Sequence, residues 1–438
     1  MSTFIHILTF EWKTLWRSNV LKVLLLILFA AGIYGIYFGK AEVDTQQNRI
    51  TEVQKYEKKQ FEQFVDWAKL DTTNQIHKEK YLKAVTPAGV GFAPRHFTYY
   101  VVHELPPLAG LSLGQRDLFP IYYGISPGDL AREVNVTELA NPMKLLTGNF
   151  DLSYVIVFLL PLFIIALFYN LYAKEKEEGT LSLLQSQPIS VAYILFAKGL
   201  FRFLLIIALA TLLLILAFII QDISFIEYPS LFGKWLIAIY TYCLGWVLLM
   251  GVIIRFKKDS ALSGMLGLGV WLILTIVTPA LLNLFILEKE PLPNRYSAIN
   301  DVRNLNDSIW QSEKSFVFDQ FYPKYPEYNQ GDTTDFYKWY YAGFTIIDDK
   351  ADAMRSQFEK QIDNRNQLLQ KWQWLAPAAI MHEQLSKISG TDRDSHLAFF
   401  EDVKEYHQEL KDIYYPKIFS SEDFEIEDLK ILQTKLDF

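Results

Sequence analysis

The chain has 438 residues, 51% of them of hydrophobic types and 21% charged, with a formal net charge of -7. This mildly acidic balance leaves no electrostatic footprint for nucleic acid, and no nucleic-acid partner is expected. The single cysteine, Cys243, excludes an intramolecular disulfide and, set within an apolar block, reads as a small buried hydrophobe.

Residues 1–18 mix Phe4, Ile7, Leu8, Phe10, Trp12, Leu15 and Trp16 with Glu11, Lys13 and Arg17. An amphipathic helix lying in a membrane interface, with tryptophan at headgroup depth, fits this mixture. The alternative is a simple extension of the apolar block that follows. That block has no small-x-small cleavage site after it and runs on into a charged helical pattern, so it is expected to be retained rather than removed as a signal peptide.

Helices need roughly 20 apolar residues to cross a hydrocarbon core about 30 Å thick. Five blocks qualify: 19–38, 154–173, 191–220, 232–254 and 261–287. Lipid offers no water to the backbone, which makes each block a helix. The expected fold class is therefore mainly α: a polytopic helical membrane protein with five transmembrane helices and two large, mostly helical extracytoplasmic regions, 39–153 and 288–438.

Basic residues orient the spans. Lys13 and Arg17 precede the first. Lys174, Lys176, Lys198 and Arg202 stand between the second and third, and Arg255, Lys257 and Lys258 stand between the fourth and fifth. The loop 221–231 has neither Lys nor Arg. The N-terminus, the segment 174–190 and the loop 255–260 are thus expected in the cytoplasm.

Region 39–153 opens with a helical pattern over 45–70, where Ile50, Val53, Tyr56, Phe61, Phe64 and Trp67 recur at three- to five-residue steps. A loop-rich part follows, with Pro87, Gly89, Gly91, Pro94, Pro106, Pro107, Pro120 and Pro127. Region 288–438 shows helical patterns over 346–374 and 395–414, separated by Pro377 and Gly390. The aromatic run Trp339-Tyr340-Tyr341 reads as core packing. Of His77, His96, His103, His382, His396 and His407, only His96 and His103, with Glu104, approach one another in sequence. Their spacing is not that of metal ligands, and no metal is expected. Asn135-Val136-Thr137 and Asn306-Asp307-Ser308 match the glycosylation acceptor pattern. Pro161, Pro279 and Asn283 fall inside spans, where such residues serve packing.

Residues 174–190 are the most informative. A charged cluster, Lys174 to Glu178, leads to Gly179-Thr180, a short apolar run with Leu181, Leu183 and Leu184, and then Pro188 and Ser190, which suit a turn and a new helix start. A short helix with one apolar side is a plug for a groove on a partner; an ordinary charged juxtamembrane loop reads equally well.

The pattern carried by Glu175, Glu177, Gly179, Thr180, Leu181, Leu183, Leu184, Pro188 and Lys198 resembles the cytoplasmic segment of ABC-2-type permeases. The amphipathic start, the large region after span one, the region after span five, Trp374 to Pro377, Gly390-Thr391-Asp392 and the helix with Phe399, Phe400, Val403 and Tyr406 resemble the branch with an uncharacterised domain (DUF3526), common in Bacteroidetes. The resemblance implies the membrane-spanning permease subunit of an ATP-driven transporter, an exporter by the family's usual direction. It implies the bacterial inner membrane, with the large regions periplasmic, and a second permease copy or a paralogue as partner. A separate ABC ATP-binding subunit would meet Glu175, Glu177, Glu178, Gly179, Thr180, Leu181, Leu184 and Pro188. ATP and Mg would be held by that subunit, with no cofactor, catalytic residue or enzyme activity on this chain. The family closes with a sixth span, and no apolar block of that length follows residue 287 here; either the sequence is cut short or five spans suffice.

Absences agree with that implication. The chain has no Gly-x-x-x-x-Gly-Lys-Ser/Thr loop for ATP phosphates, and the middles of the spans hold almost no ionisable groups of the kind ion-coupled carriers use. One rival is a non-transporting membrane scaffold or sensor with partner-binding outer domains. The other, a membrane-embedded enzyme, lacks polar catalytic groups in the spans.

Overall fold

A computed structural model describes residues 2–91, 97–128, 130, 149–256, 259–291, 295–329, 332–425 and 427–428. Lys257, Lys258, Pro94, His96 and the Asn135-Val136-Thr137 motif lie outside the described residues.

Helix α1 (Ser2–Arg17) ends at Ser18, whose hydroxyl accepts the Leu21 N–H at 3.3 Å and so starts α2 (Asn19–Ala68). With no proline anywhere in it, α2 runs for 50 residues. The first span and the helical pattern expected at 45–70 are thus one helix. After α3 (Gln75–Val85) a short ribbon forms: β1 (Tyr99–Val102) pairs antiparallel with β2 (Tyr122–Ile125), Tyr99 facing Ile125 and Val102 facing Tyr122. Glu57 of α2 accepts the Tyr100 N–H at 3.0 Å and fastens the ribbon to the helix.

Five helices are long and apolar enough to cross a membrane. They are α2, α4 (152–168), α6 (Val191–Ile220), α7 (Pro229–Arg255) and α8 (Ser260–Lys289). The short α5 (Leu181–Gln185) lies between α4 and α6. The sequence block 191–220 coincides with α6, whereas the block 19–38 covers only the first part of α2. Two spans carry π-helical turns, Val155–Leu159 in α4 and Ile273–Val277 in α8. The start of α4 is fixed by Asp151, whose carboxylate accepts from the Ser153 hydroxyl at 2.6 Å and from the Tyr154 and Leu113 N–H groups at 2.9 and 2.8 Å.

Glycine lets the spans close up at the end far from α1. Gly32, Gly35 and Gly39 share one face of α2. A Cβ on Gly35 would lie 2.8 Å from the Asp151 carbonyl oxygen, and one on Gly39 would lie 1.8 Å from that of Gly110. Alongside them, Lys40 donates to the Ile220 carbonyl at 2.7 Å and pairs with Asp222 at 3.1 Å.

Beyond the spans, 39–128 and the C-terminal helices build one shared core. These helices are α9 (Arg295–Gln311), α10 (Lys314–Phe321), α11 (Phe336–Trp372), α12 (Pro377–Ser389) and α13 (Arg393–Ser420). Phe61, Phe64, Tyr99 and Tyr123 pack with Phe318, Tyr341, Phe399, Tyr414 and Phe419. Tyr99 and Tyr414, 315 positions apart, share a buried hydroxyl hydrogen bond of 2.7 Å.

Helix α12 behaves differently from its neighbours. Its Ala378, Met381 and Leu385, at helical spacing, belong to the apolar cluster of the spans. Helix α11 runs down beside α8, where Arg365 donates to the Glu290 carbonyl and Trp372 packs edge-on against Phe285 at 6.1 Å. The chain turns at Gln373–Leu375, and α12 climbs back along α7, touching both π-turns. Contacts of α12 with the π-turn Ile273–Val277 bring this helical hairpin to about the middle of α8. A left-handed Gly390 ends α12: the N–H of Thr391 bonds the Ser386 carbonyl at 3.0 Å and that of Gly390 bonds the Lys387 carbonyl at 3.2 Å. The Thr391 hydroxyl then bonds the Ser112 carbonyl at 2.8 Å, which pins the hairpin to the loop over the far ends of the spans.

Candidate partner-binding site

The segment 174–190 sits at the α1 end of the bundle. After α4 the chain makes one helical turn, Ala173–Glu177, and then meets Gly179 at φ +71°. A Cβ there would meet nothing within 4 Å, so glycine is needed for the left-handed backbone and not for room. The reversal presents α5 to the outside. Leu183 is 66% exposed, Leu181 and Leu184 are half-buried, and Glu177, Glu178, Gly179 and Pro188 are exposed. Ser190 then caps α6, accepting the Tyr193 N–H at 3.2 Å.

Two carboxylates brace this exposed turn, each on a different span. Glu175 accepts from Lys198 of α6 at 2.5 Å and from the Thr180 hydroxyl at 2.5 Å, which closes the turn on itself. Glu177 accepts both the N–H and the hydroxyl of Ser260, at 2.7 and 2.8 Å. A carboxylate there also suits the positive end of the α8 dipole. Among the described residues Glu178 makes an i,i+4 pair with Lys174, at 3.8 Å.

The Lys198 ammonium continues the network inward. Glu11 of α1 is 1% exposed and lies 3.8 Å from Lys198 and 2.5 Å from Arg202. Arg202 also donates to the Leu167 carbonyl and, at 3.2 Å, to the Asn170 side chain. Two carboxylates therefore neutralise two cations beneath α1, with the guanidinium's remaining donors taken up at the end of α4. Charges buried this way persist only when paired and hydrogen-bonded. Sequence reasoning placed Lys198 and Arg202 near the start of α6 but read Glu11 as an interface charge. The available signal was a lone acid among aromatic and aliphatic neighbours.

A second polar cluster, which the sequence did not reveal, lies in the far-end domain. Arg116 is 3% exposed, donates to Gln46 at 2.9 Å and to the His103 carbonyl, and has no carboxylate partner among the described residues. Burial lowers its pKa to about 10. His103 stacks on Phe399 and His396 on Phe119, with centroids 4.5 and 4.0 Å apart. Burial, then the Arg116 charge, pushes the His103 pKa down to about 3 and that of His396 to about 4. Among the described residues no group of three or more His, Cys, Asp or Glu is arranged to hold a metal.

Helices α9 to α13, with the hairpin they send between the spans, coincide with one recognisable unit. Residues 295–434 match the family described as a domain of unknown function (DUF3526). No curated protein matches the chain, and no solved structure does. The DUF3526 match covers the C-terminal part of the aromatic core and α12 but neither the five long apolar helices nor the 174–190 segment. The DUF3526 unit is thus built into the bundle on one side, through α12, and into 39–128 on the other, through Tyr99 and Tyr123.

Proposed function

We propose that the chain is the membrane-spanning permease subunit of an ATP-driven ABC-2-type transporter, working as an exporter with a separate ATP-hydrolysing subunit. The carrying observation is the exposed α5, held on a turn whose Glu175 and Glu177 are fastened to α6 and α8. A push on α5 passes directly to two spans and, through Lys198 and Glu11, to α1. A scaffold that bound a partner at this surface would need no such bracing to several spans.

In this reading the N-terminal end faces the cytoplasm of a bacterial cell and the DUF3526 unit lies in the periplasm. Lys198, Arg202 and Lys174 are paired with Glu175, Glu11 and Glu178, so the charge bias rests on Lys13, Arg17, Lys176, Arg255, Lys257 and Lys258 of the sequence. ATP and Mg belong to the partner. The lipid-facing side of α8, with Met265, Leu272 and Ile276 exposed, offers room for a second permease copy or a paralogue.

The test is affinity purification of the full chain from membranes with a readout of ATP hydrolysis. A co-purifying hydrolase that is lost with Leu183→Asp but kept with Ile226→Asp, a 94% exposed site at the opposite end, supports the reading. A chain purified with no ATP-hydrolysing companion, or one whose companion ignores Leu183→Asp, overturns it in favour of the scaffold.

A further inference from the structure

A cleft of about 700 Å³ runs between α7, the π-turn of α8 and α12. That volume falls within the roughly 300–1,000 Å³ typical of small-ligand sites. Its walls are mainly apolar, with Trp246, Leu249, Leu274 and Met381 among them, and among the described residues Lys234 is the one charged side chain that lines it. Among the described residues Lys234 forms no ion pair. It stands in the second turn of α7, which places its ammonium at headgroup depth when the 27-residue helix crosses a bilayer. From Lys234 to Leu249 the cleft follows about 22 Å of helix axis, more than the ~15 Å that one leaflet contributes to the hydrocarbon core. Gly245 keeps its floor low, since a Cβ there would touch nothing within 4 Å.

The walls are also unusual in origin. One is a π-helical turn, a geometry that recurs at functional sites. Another is α12, supplied by the DUF3526 unit and locked in place by Thr391. The result is an elongated, partly open cleft with a cation at its headgroup end and apolar side chains along its length. This is the complement of a lipid with a negative head, and not of a flat protein surface.

We propose that this cleft binds one anionic phospholipid of the surrounding bilayer, its acyl chain along α7 from Lys234 towards Leu249 and its phosphate paired with the Lys234 ammonium. The site stands whether or not the protein transports anything. Native mass spectrometry of the detergent-purified full chain, with phosphatidylglycerol and phosphatidylethanolamine added in competition, tests it. The wild-type chain retains phosphatidylglycerol roughly tenfold better. Lys234→Gln, at an exposed position, abolishes that preference, whereas Lys289→Gln, at the far end of α8, leaves it intact. Ala238→Phe fills the cleft and lowers retention of both lipids. Phosphatidylglycerol with brominated acyl chains supplies an independent readout: it quenches tryptophan fluorescence, and Trp246→Phe removes that part of the quenching. Equal retention of the two lipids by the wild-type chain, a preference that survives Lys234→Gln, or quenching unchanged in Trp246→Phe overturns the proposal. The lysine and tryptophan variants decide the matter even if Ala238→Phe does not fold.

Discussion

Glu11 and Arg202, 191 positions apart, form a buried ion pair at 2.5 Å that fastens the N-terminal helix to the third span. Removing one partner of a buried pair leaves an uncompensated charge, which costs about 3–5 kcal/mol, whereas replacing both with apolar residues is often neutral. Glu11→Leu is therefore expected to lower the melting temperature of the detergent-purified protein sharply. Glu11→Leu with Arg202→Met recovers most of the loss. A double mutant no more stable than Glu11→Leu alone would show that the pair is not what holds α1.

Gly39→Ala drives a methyl into the Gly110 carbonyl, and overpacking of this kind costs about 1–3 kcal/mol or more. Gly251→Ala in α7 meets nothing within 4 Å, and relief of glycine's helix penalty makes it neutral or stabilising by about 0.5–1 kcal/mol. Thermal unfolding of the two variants side by side distinguishes close approach from mere helix propensity.

Gly179→Ala places a side chain at φ +71°, at a cost of about 1–2 kcal/mol confined to the turn. Global stability is expected to change little, because nothing packs on Gly179. Limited proteolysis between residues 174 and 190 is expected to accelerate, and a protease pattern identical to the wild type would remove the strained turn from the account.

His103 and His396 titrate well below their ordinary value of 6.5 in the folded chain, at about 3 and about 4. Between about pH 4 and 6.5 the unfolded chain binds more protons, so stability present above pH 6.5 is lost as the pH falls. Glu57 acts in the opposite sense. Burial raises its carboxyl from 4.5 to about 7, so its contribution declines as pH rises through that window. Melting curves from pH 4 to 8 are expected to lose their acid slope in a His103→Gln, His396→Phe chain. Glu57→Gln is expected to flatten the decline towards pH 7.

The five long apolar helices were legible because uninterrupted apolar blocks of that length favour helix, and α6 begins and ends where its block does. The continuity of α2 was less so: the composition changes at Lys40, but a helix in lipid and a helix in water share the same period, and nothing between them breaks it. Helix α12 was hidden by length. At 13 residues, with His382, Glu383 and Lys387, it fails every test for a membrane-facing helix, and only the partners of Ala378, Met381 and Leu385 reveal its depth. The π-turns have no periodic signature. Within the 174–190 segment the acidic cluster was plain. That Glu175 reaches α6 and Glu177 reaches α8 depends on pairings that no local pattern encodes.

The 50 residues of α2 make a rod of roughly 75 Å, free of proline along its whole length. Its lower half is clasped by glycine contacts to the loops over the bundle, and its upper half carries Phe61 and Phe64 into the far-end core. No proline interrupts the helix between these two anchorages, so a displacement at the Ser18 end would be carried towards the aromatic core, as along a lever.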